Sequence, residues 1–255
     1  GGHRLVADYL LAEVLERQPP STRRFLLATA VLDRMCAPLC DALLAPDAAG
    51  VASSQVVLEE FERANLFLVP LDDERVWYRY HHLFADAVRA RLARDAGAEA
   101  VADLHRRAGA WFARVGLLPE AIGHALAGGA AEDAATWLEA LTPTMFATMS
   151  IHQALAGWLA ALPEPVVRSR PLLCLAGAWL LIHRVELEPA AAWIDAAESA
   201  LPAADPALPA AGRSAGGAAA RSARGAVAAT RAYMATVVPD TAPDRAMAWA
   251  ERALA

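Results

Sequence analysis

An all-α fold interrupted by a single β-hairpin is predicted by three features of this chain. Apolar residues recur at helical spacing almost everywhere along it. One window, from Leu66 to His81, breaks that rhythm: aromatic and β-branched residues flank an Asp72-Asp73 turn. The composition is 56% hydrophobic but only 7% aromatic, with Ala supplying much of the rest, a profile suited to close-packed helices. A helical body carrying one hairpin is the outline of a winged helix.

The elements follow in order. Residues 5–17 are amphipathic and end at Pro19-Pro20, and Ser21 is the expected N-cap of a helix from Thr22 to Ala30 that turns Phe25, Leu26 and Leu27 inward. Further helices are expected over Pro38 to Leu44 and Ser53 to Ala64. Strands over Leu66 to Pro70 and Val76 to Tyr80 form the wing, and a helix from Leu83 to Arg94 completes a domain over residues 1–95. Residues 96–202 then change to helix pairs with small residues at repeating places, a tetratricopeptide-like texture. Ala178, Ala190 and Ala197 are the crossing positions of one unit, with Leu181 and Ile194 as packing residues; Gly109, Phe112, Ala121, Ala125 and Gly128 are their counterparts in another. Residues 203–225, rich in Ala, Pro, Gly and Arg, suggest an exposed linker, and 226–255 a further, truncated repeat with small positions at Ala246, Ala250 and Ala253.

Composition excludes several chemistries. All 23 cationic side chains are Arg, so no Lys can cradle a phosphate or form a Schiff base. The formal charge of −6 argues against a bulk attraction to nucleic acid or anionic membrane. Glu59, Glu60 and Glu62 outnumber Arg63 on the helix that would read DNA, so that helix is expected to contact protein instead. Cys36, Cys40 and Cys174 lack further ligands nearby; buried thiols in a reducing, cytoplasmic compartment are expected, with no metal site. The apolar run from Leu172 to Ile182, bracketed by Arg170 and Arg184, is too short to span a bilayer. The serine in Gly212-Arg213-Ser214-Ala215-Gly216 has no strand before it, so no catalytic residue is assigned. His105, His124, His152 and His183 fall on separate helices and are expected to be packing or surface residues. A start without Met and an end inside a helical pattern suggest a piece of a longer polypeptide.

Three blocks carry a resemblance: YLLAEVLERQPPSTRRFLLATAVLDRMCAPLCDAL, then LEEFERANLFLVPLDDERVWYRYHHLF, then LHRRAGAWFARVGLLPEAIGHALAGG. In that order, from about Val6 to Ala200, the chain resembles the middle of the large MalT-like regulators, LuxR-type transcription factors that are also signal-transduction ATPases. The resemblance implies a winged helix followed by the start of a helical sensor region, without the ATPase domain or the C-terminal DNA-binding module. It implies no cofactor in this segment and ATP or ADP in the full-length protein. The implied partners are the protein's own ATPase domain and, on the helical repeats, a small-molecule effector or regulatory protein. Tyr80-His81-His82 resembles the Met-His-Asp motif of related signalling ATPases, which makes His81 the expected sensor of bound nucleotide; His82 stands where the Asp would be. Trp111, Trp137, Trp158 and Trp179 are the candidate effector surface on the repeats. Two other classes stay open: a free-standing repeat scaffold that binds a peptide, and an enzyme whose site has no recognisable motif.

Overall fold

The computed structural model describes residues 15, 17–44, 53–64, 67–145, 152–201 and 215–237. The chain divides into two compact units, Gly1–Ala130 and Ala131–Ala255. In the first unit the described helices are α1 (Pro20–Thr29), α2 (Ala37–Leu43) and α3 (Ser54–Arg63), then α4 (His82–Asp95), α5 (Ala98–Arg114) and α6 (Leu118–Ala127). Strands β1 (Leu68–Pro70) and β2 (Tyr78–Tyr80) form the antiparallel wing between α3 and α4, in the register Leu68 to Tyr80 and Pro70 to Tyr78. The second unit holds α7 (Ala131–Met145), α8 (His152–Ala161), α9 (Glu164–Arg168), α10 (Pro171–His183), α11 (Leu187–Ala200) and α12 (Ala215–Val237). Among the described residues the wing is the only sheet. No helix among them is long and apolar enough to cross a membrane.

The core of the first unit gathers Phe25, Leu26, Leu39, Leu58, Tyr78 and Phe84, each almost wholly buried. Phe25 stacks on Phe61, and Phe84 meets both Phe67 and Tyr80. Thr29 Oγ1 donates to Phe25 O at 2.8 Å, so Tyr80 donates its hydroxyl to Thr29 Oγ1 at 2.7 Å. Burial pushes the Tyr80 phenol well above its usual range, and it stays a neutral donor. Arg89 of α4 closes the end of α1, reaching Ala30 O at 2.9 Å, Leu32 O at 3.3 Å and Asp33 at 2.7 Å. The Ala30 carbonyl, at the C-cap, is one that a helix end leaves without an intrahelical donor.

The wing differs from expectation in detail. The strands are shorter, because Asp72 binds the N–H groups of Val76 at 2.8 Å and Trp77 at 3.0 Å and so keeps both in the turn. Leu66 lies outside the described residues, and Phe67 at φ 55° bends the chain before β1. Met35 pairs with Tyr78 through two 2.8 Å backbone bonds, tying the stretch between α1 and α2 to the wing. Helix α1 starts at Pro20 with Pro19 as its N-cap, in place of the Ser21 cap; proline at the first helical position forfeits only an N–H that would have no partner.

The first compact unit extends past residue 95. Trp111 of α5 is 7% exposed and meets Trp77 of the wing edge-on at 6.2 Å; Arg107 of α5 donates to Leu43 O at 2.7 Å. Arg34, just beyond α1, pairs with Glu120 of α6. The α5–α6 hairpin is thus packed on the winged helix, and the boundary falls after Ala130.

In the second unit, Cys174, Leu175, Ala178, Ala190, Ile194 and Ala197 form a core with Val227 and Met234 of α12. The small residues expected at the crossings are the ones that are buried there, since Ala lets two helix backbones approach closely. Helix α12 corrects the expected linker over 203–225: from Ala215 onward it is helical. Its run of Ala has the best helix propensity and outweighs Gly216, Gly217 and Gly225, while Ala223, Val227 and Met234 supply a buried face. The expected helix over 5–17 lies almost entirely outside the described residues, as do Ser214, Ala246, Ala250 and Ala253.

Candidate functional site

The wing returns to the helical body at His81, and the backbone there is fixed from both sides. The His81 N–H donates to Phe67 O at 2.6 Å, which holds the end of β2 against the start of β1. The His81 carbonyl accepts from Phe84 at 2.9 Å and Ala85 at 3.0 Å, so the residue is the N-cap of α4 through its main chain alone. Its imidazole makes no capping bond and is exposed. The His82 ring lies beside it, centroids 4.3 Å apart, and is exposed as well. The His81 carbonyl takes the N–H groups of Phe84 and Ala85 only, and the helix dipole places partial positive charge at that end. Two imidazoles over such a terminus can donate hydrogen bonds to an anion's oxygens.

The face between α3 and the wing has the opposite character. A groove of about 670 Å³ there is lined by Glu59, Glu62 and Glu74 against Arg63 and Arg75, with Tyr78 at its base. Glu62 accepts the Tyr78 hydroxyl at 3.3 Å and pairs with Arg75 at 3.3 Å. Burial, with Glu62 beside it, raises the Tyr78 phenol. An acidic surface on the helix that would enter a major groove repels phosphate, as the run of Glu in α3 implies.

Residues 11–100 match the model of the MalT winged helix domain. At 38% identity over 201 residues, the chain is similar to the serine/threonine-protein kinase PknK of Mycobacterium tuberculosis and that of Mycobacterium bovis. The alignment covers 79% of this chain and 18% of each kinase, so the chain spans less than a fifth of the length of the curated relatives it matches. The matched winged helix takes in the hairpin and the His81 junction, and the similarity to the kinases runs beyond it into the helix pairs.

The four tryptophans fall in different settings. Trp111 belongs to the core between wing and α5, because its ring fills the space beside Trp77 and Phe112; it is not part of an open surface. Trp137, Trp158 and Trp179 are half-buried. Trp179 stacks on Tyr233 at 5.1 Å and lies against His183, whose Nδ1 is 2.8 Å from Trp179 O. All three cysteines are buried and free, and burial raises each thiol, Cys174 to about 11.

Sequence reasoning missed the pairing of His105 with His124. Their Nδ1 atoms stand 2.9 Å apart across the α5–α6 hairpin. Burial lowers both, His124 to about 4, so both imidazoles are neutral at neutral pH. The side chain of His152, at the start of α8, lies outside the described residues.

Proposed function

We propose that this chain is a regulatory segment of a MalT-like, ATP-dependent regulator. Its winged helix closes over a nucleotide held by an ATPase domain, and its helix hairpins, tetratricopeptide-like in their small crossing residues, receive an effector or partner protein. The regulator is transcriptional and of the LuxR type in this reading, the segment itself carries no catalytic step, and ATP or ADP belongs to the parent protein. The half-buried Trp137, Trp158 and Trp179 offer stacking groups on the effector-receiving helices. The single observation that supports the nucleotide role most directly is the His81 imidazole, free of any capping bond and exposed on a backbone fixed by Phe67, Phe84 and Ala85. An imidazole donating to a phosphate oxygen contributes about 0.5–1.5 kcal/mol when neutral and about 1.5–3 kcal/mol when protonated.

His81→Ala in the full-length regulator tests this. ADP affinity should fall by about tenfold, which is ~1.4 kcal/mol, and activation without effector should rise. Unchanged ADP affinity and basal activity in a variant with a normal melting curve would leave His81 a structural residue.

The kinase relatives favour a second reading, in which the same regulatory segment is attached to a serine/threonine kinase domain rather than to a DNA-binding one. A free-standing peptide-binding scaffold is the third. The gene's flanking reading frame separates them: a kinase domain supports the second, and the absence of any ATPase or kinase domain supports the scaffold.

A further inference from the structure

His105 and His124 hold one proton between their Nδ1 atoms, since two ring nitrogens 2.9 Å apart need one donor and one acceptor. The His124 ring is braced by Phe112, with which it stacks at a centroid distance of 5.4 Å and 19° between planes. Glu120 lies one helical turn before His124, so both side chains leave the same face of α6. Glu120, His105 and His124 line one cavity of about 440 Å³, together with Phe112 and Gly123. Gly123 costs the helix interior about 1 kcal/mol relative to Ala. A Cβ at this position would meet nothing within 4 Å, so packing does not demand the glycine, and its effect is to leave open space beside His124.

We propose that His105, His124 and Glu120 bind a divalent transition-metal ion, zinc being the closest fit, with water from the cavity in the fourth position. Zinc takes imidazole nitrogen and carboxylate oxygen tetrahedrally at about 2.0–2.2 Å, which sets two nitrogens on one ion roughly 3.3–3.4 Å apart. The rings therefore separate by about half an ångström as the ion enters, and the proton they shared moves to Nε2 of the ring that donated it, so that both ligands are neutral imidazoles. Among the described residues no three ligating side chains yet surround one point, because Glu120 is turned to Arg34. Releasing Glu120 leaves Arg34 its place over the Trp77 ring, 4.5 Å from the centroid. Asp33, which also lines the cavity, is held by Arg89 and is not needed.

Calorimetric titration of the whole chain with zinc alone at neutral pH tests the site, with cobalt(II) absorption as the geometric readout. One saturable equivalent and the intense visible bands of four-coordinate cobalt are expected. His105→Asn and His124→Asn should each weaken binding by at least about tenfold, the scale on which even groups one shell further out act. Glu120→Gln should weaken it less. Gly123→Leu fills the cavity without removing a ligand and should also lower the affinity, which keeps the test decisive if a histidine variant fails to fold. Joint replacement of His81 and His82 by Asn, which removes the exposed imidazole pair, should leave binding unchanged. Absence of saturable binding would overturn the site, as would unaltered affinity in folded His105→Asn, His124→Asn or Gly123→Leu. Loss of binding in the His81 and His82 double variant would overturn it too.

Discussion

In the α5–α6 hairpin Leu117 donates its N–H to Phe112 O at 2.9 Å, and in the α10–α11 hairpin Glu186 donates to Leu181 O at 3.0 Å. Both turns are closed by the same six-residue backbone loop, which requires a left-handed residue just after the first helix. The first hairpin uses Gly116 there, at φ 81°; the second uses Val185, at φ 63° and 75% exposed. A β-branched residue in that conformation is strained by about 1–2 kcal/mol. Thus the first turn is specified by its own residues, while the second is held by the packing of Cys174, Ala178, Ala190 and Ile194 behind it. Side-chain bonds reinforce both units. The first unit is stitched by the buried Thr29–Tyr80 pair and by Arg89. The second is joined through two half-buried arginines, Arg170 with Glu132 and Glu139, and Arg231 with Asp195 and Glu198.

The largest break in the comparison is expected at Gly128, which ends α6 against α5. A Cβ there would stand 2.9 Å from Ala102 O and 3.0 Å from Arg106 N, both backbone atoms that cannot step aside. Gly128→Ala should cost about 2–3 kcal/mol, within the usual range for overpacking. Urea denaturation measures the loss, and hydrogen exchange should place the loosening in α5 and α6. A cost below ~0.5 kcal/mol would mean that the hairpin opens without resistance.

Exchanging the turn residues tests whether one turn is specified locally and the other imposed. Gly116→Val should destabilise by about 1–2 kcal/mol, because it places in the first hairpin the strain the second already bears. Val185→Gly should stabilise by up to about 1 kcal/mol, the relief of that strain being partly offset by the greater freedom of Gly in the unfolded chain. Both are read from denaturation midpoints. If Val185→Gly destabilised the chain, the exposed valine would be contributing packing that outweighs its backbone strain.

How much of this was legible follows from the range of each interaction. The wing could be read because β-forming residues and the Asp72 turn are neighbours in sequence, and the burial of Ala178, Ala190 and Ala197 because helical periodicity is local. The Met35–Tyr78 bridge could not: one pair of residues leaves no alternating pattern. Nor could the His105–His124 contact, which depends on the register of two helices, or the extension of the first unit to Ala130, which depends on Trp77 meeting Trp111. The helix from Ala215 was masked by glycines whose cost is outweighed by surrounding Ala and by a buried face. His81 was singled out by family resemblance. The residues around it account for its fixed backbone and exposed ring, and not for the identity of what it touches.

The smallest effect is expected at Gly177 in α10, and it sharpens the contrast with Gly128. A Cβ at Gly177 would lie 3.3 Å from two atoms of the Trp193 ring, a side chain rather than a backbone. Trp193 is half-buried, so the ring can give by the few tenths of an ångström required. The Arg168 guanidinium, 5.1 Å above that ring, would shift with it, and such a contact is worth about 0.5–1 kcal/mol where exposed. Against this, Ala improves the helix interior by about 1 kcal/mol. The two terms nearly cancel, and Gly177→Ala should change stability by less than about 0.5 kcal/mol in either direction, with Trp fluorescence shifting as the ring moves. A loss as large as that of Gly128→Ala would show that Trp193 is held as rigidly as a backbone, and that the second unit's crossings are no more forgiving than the first's.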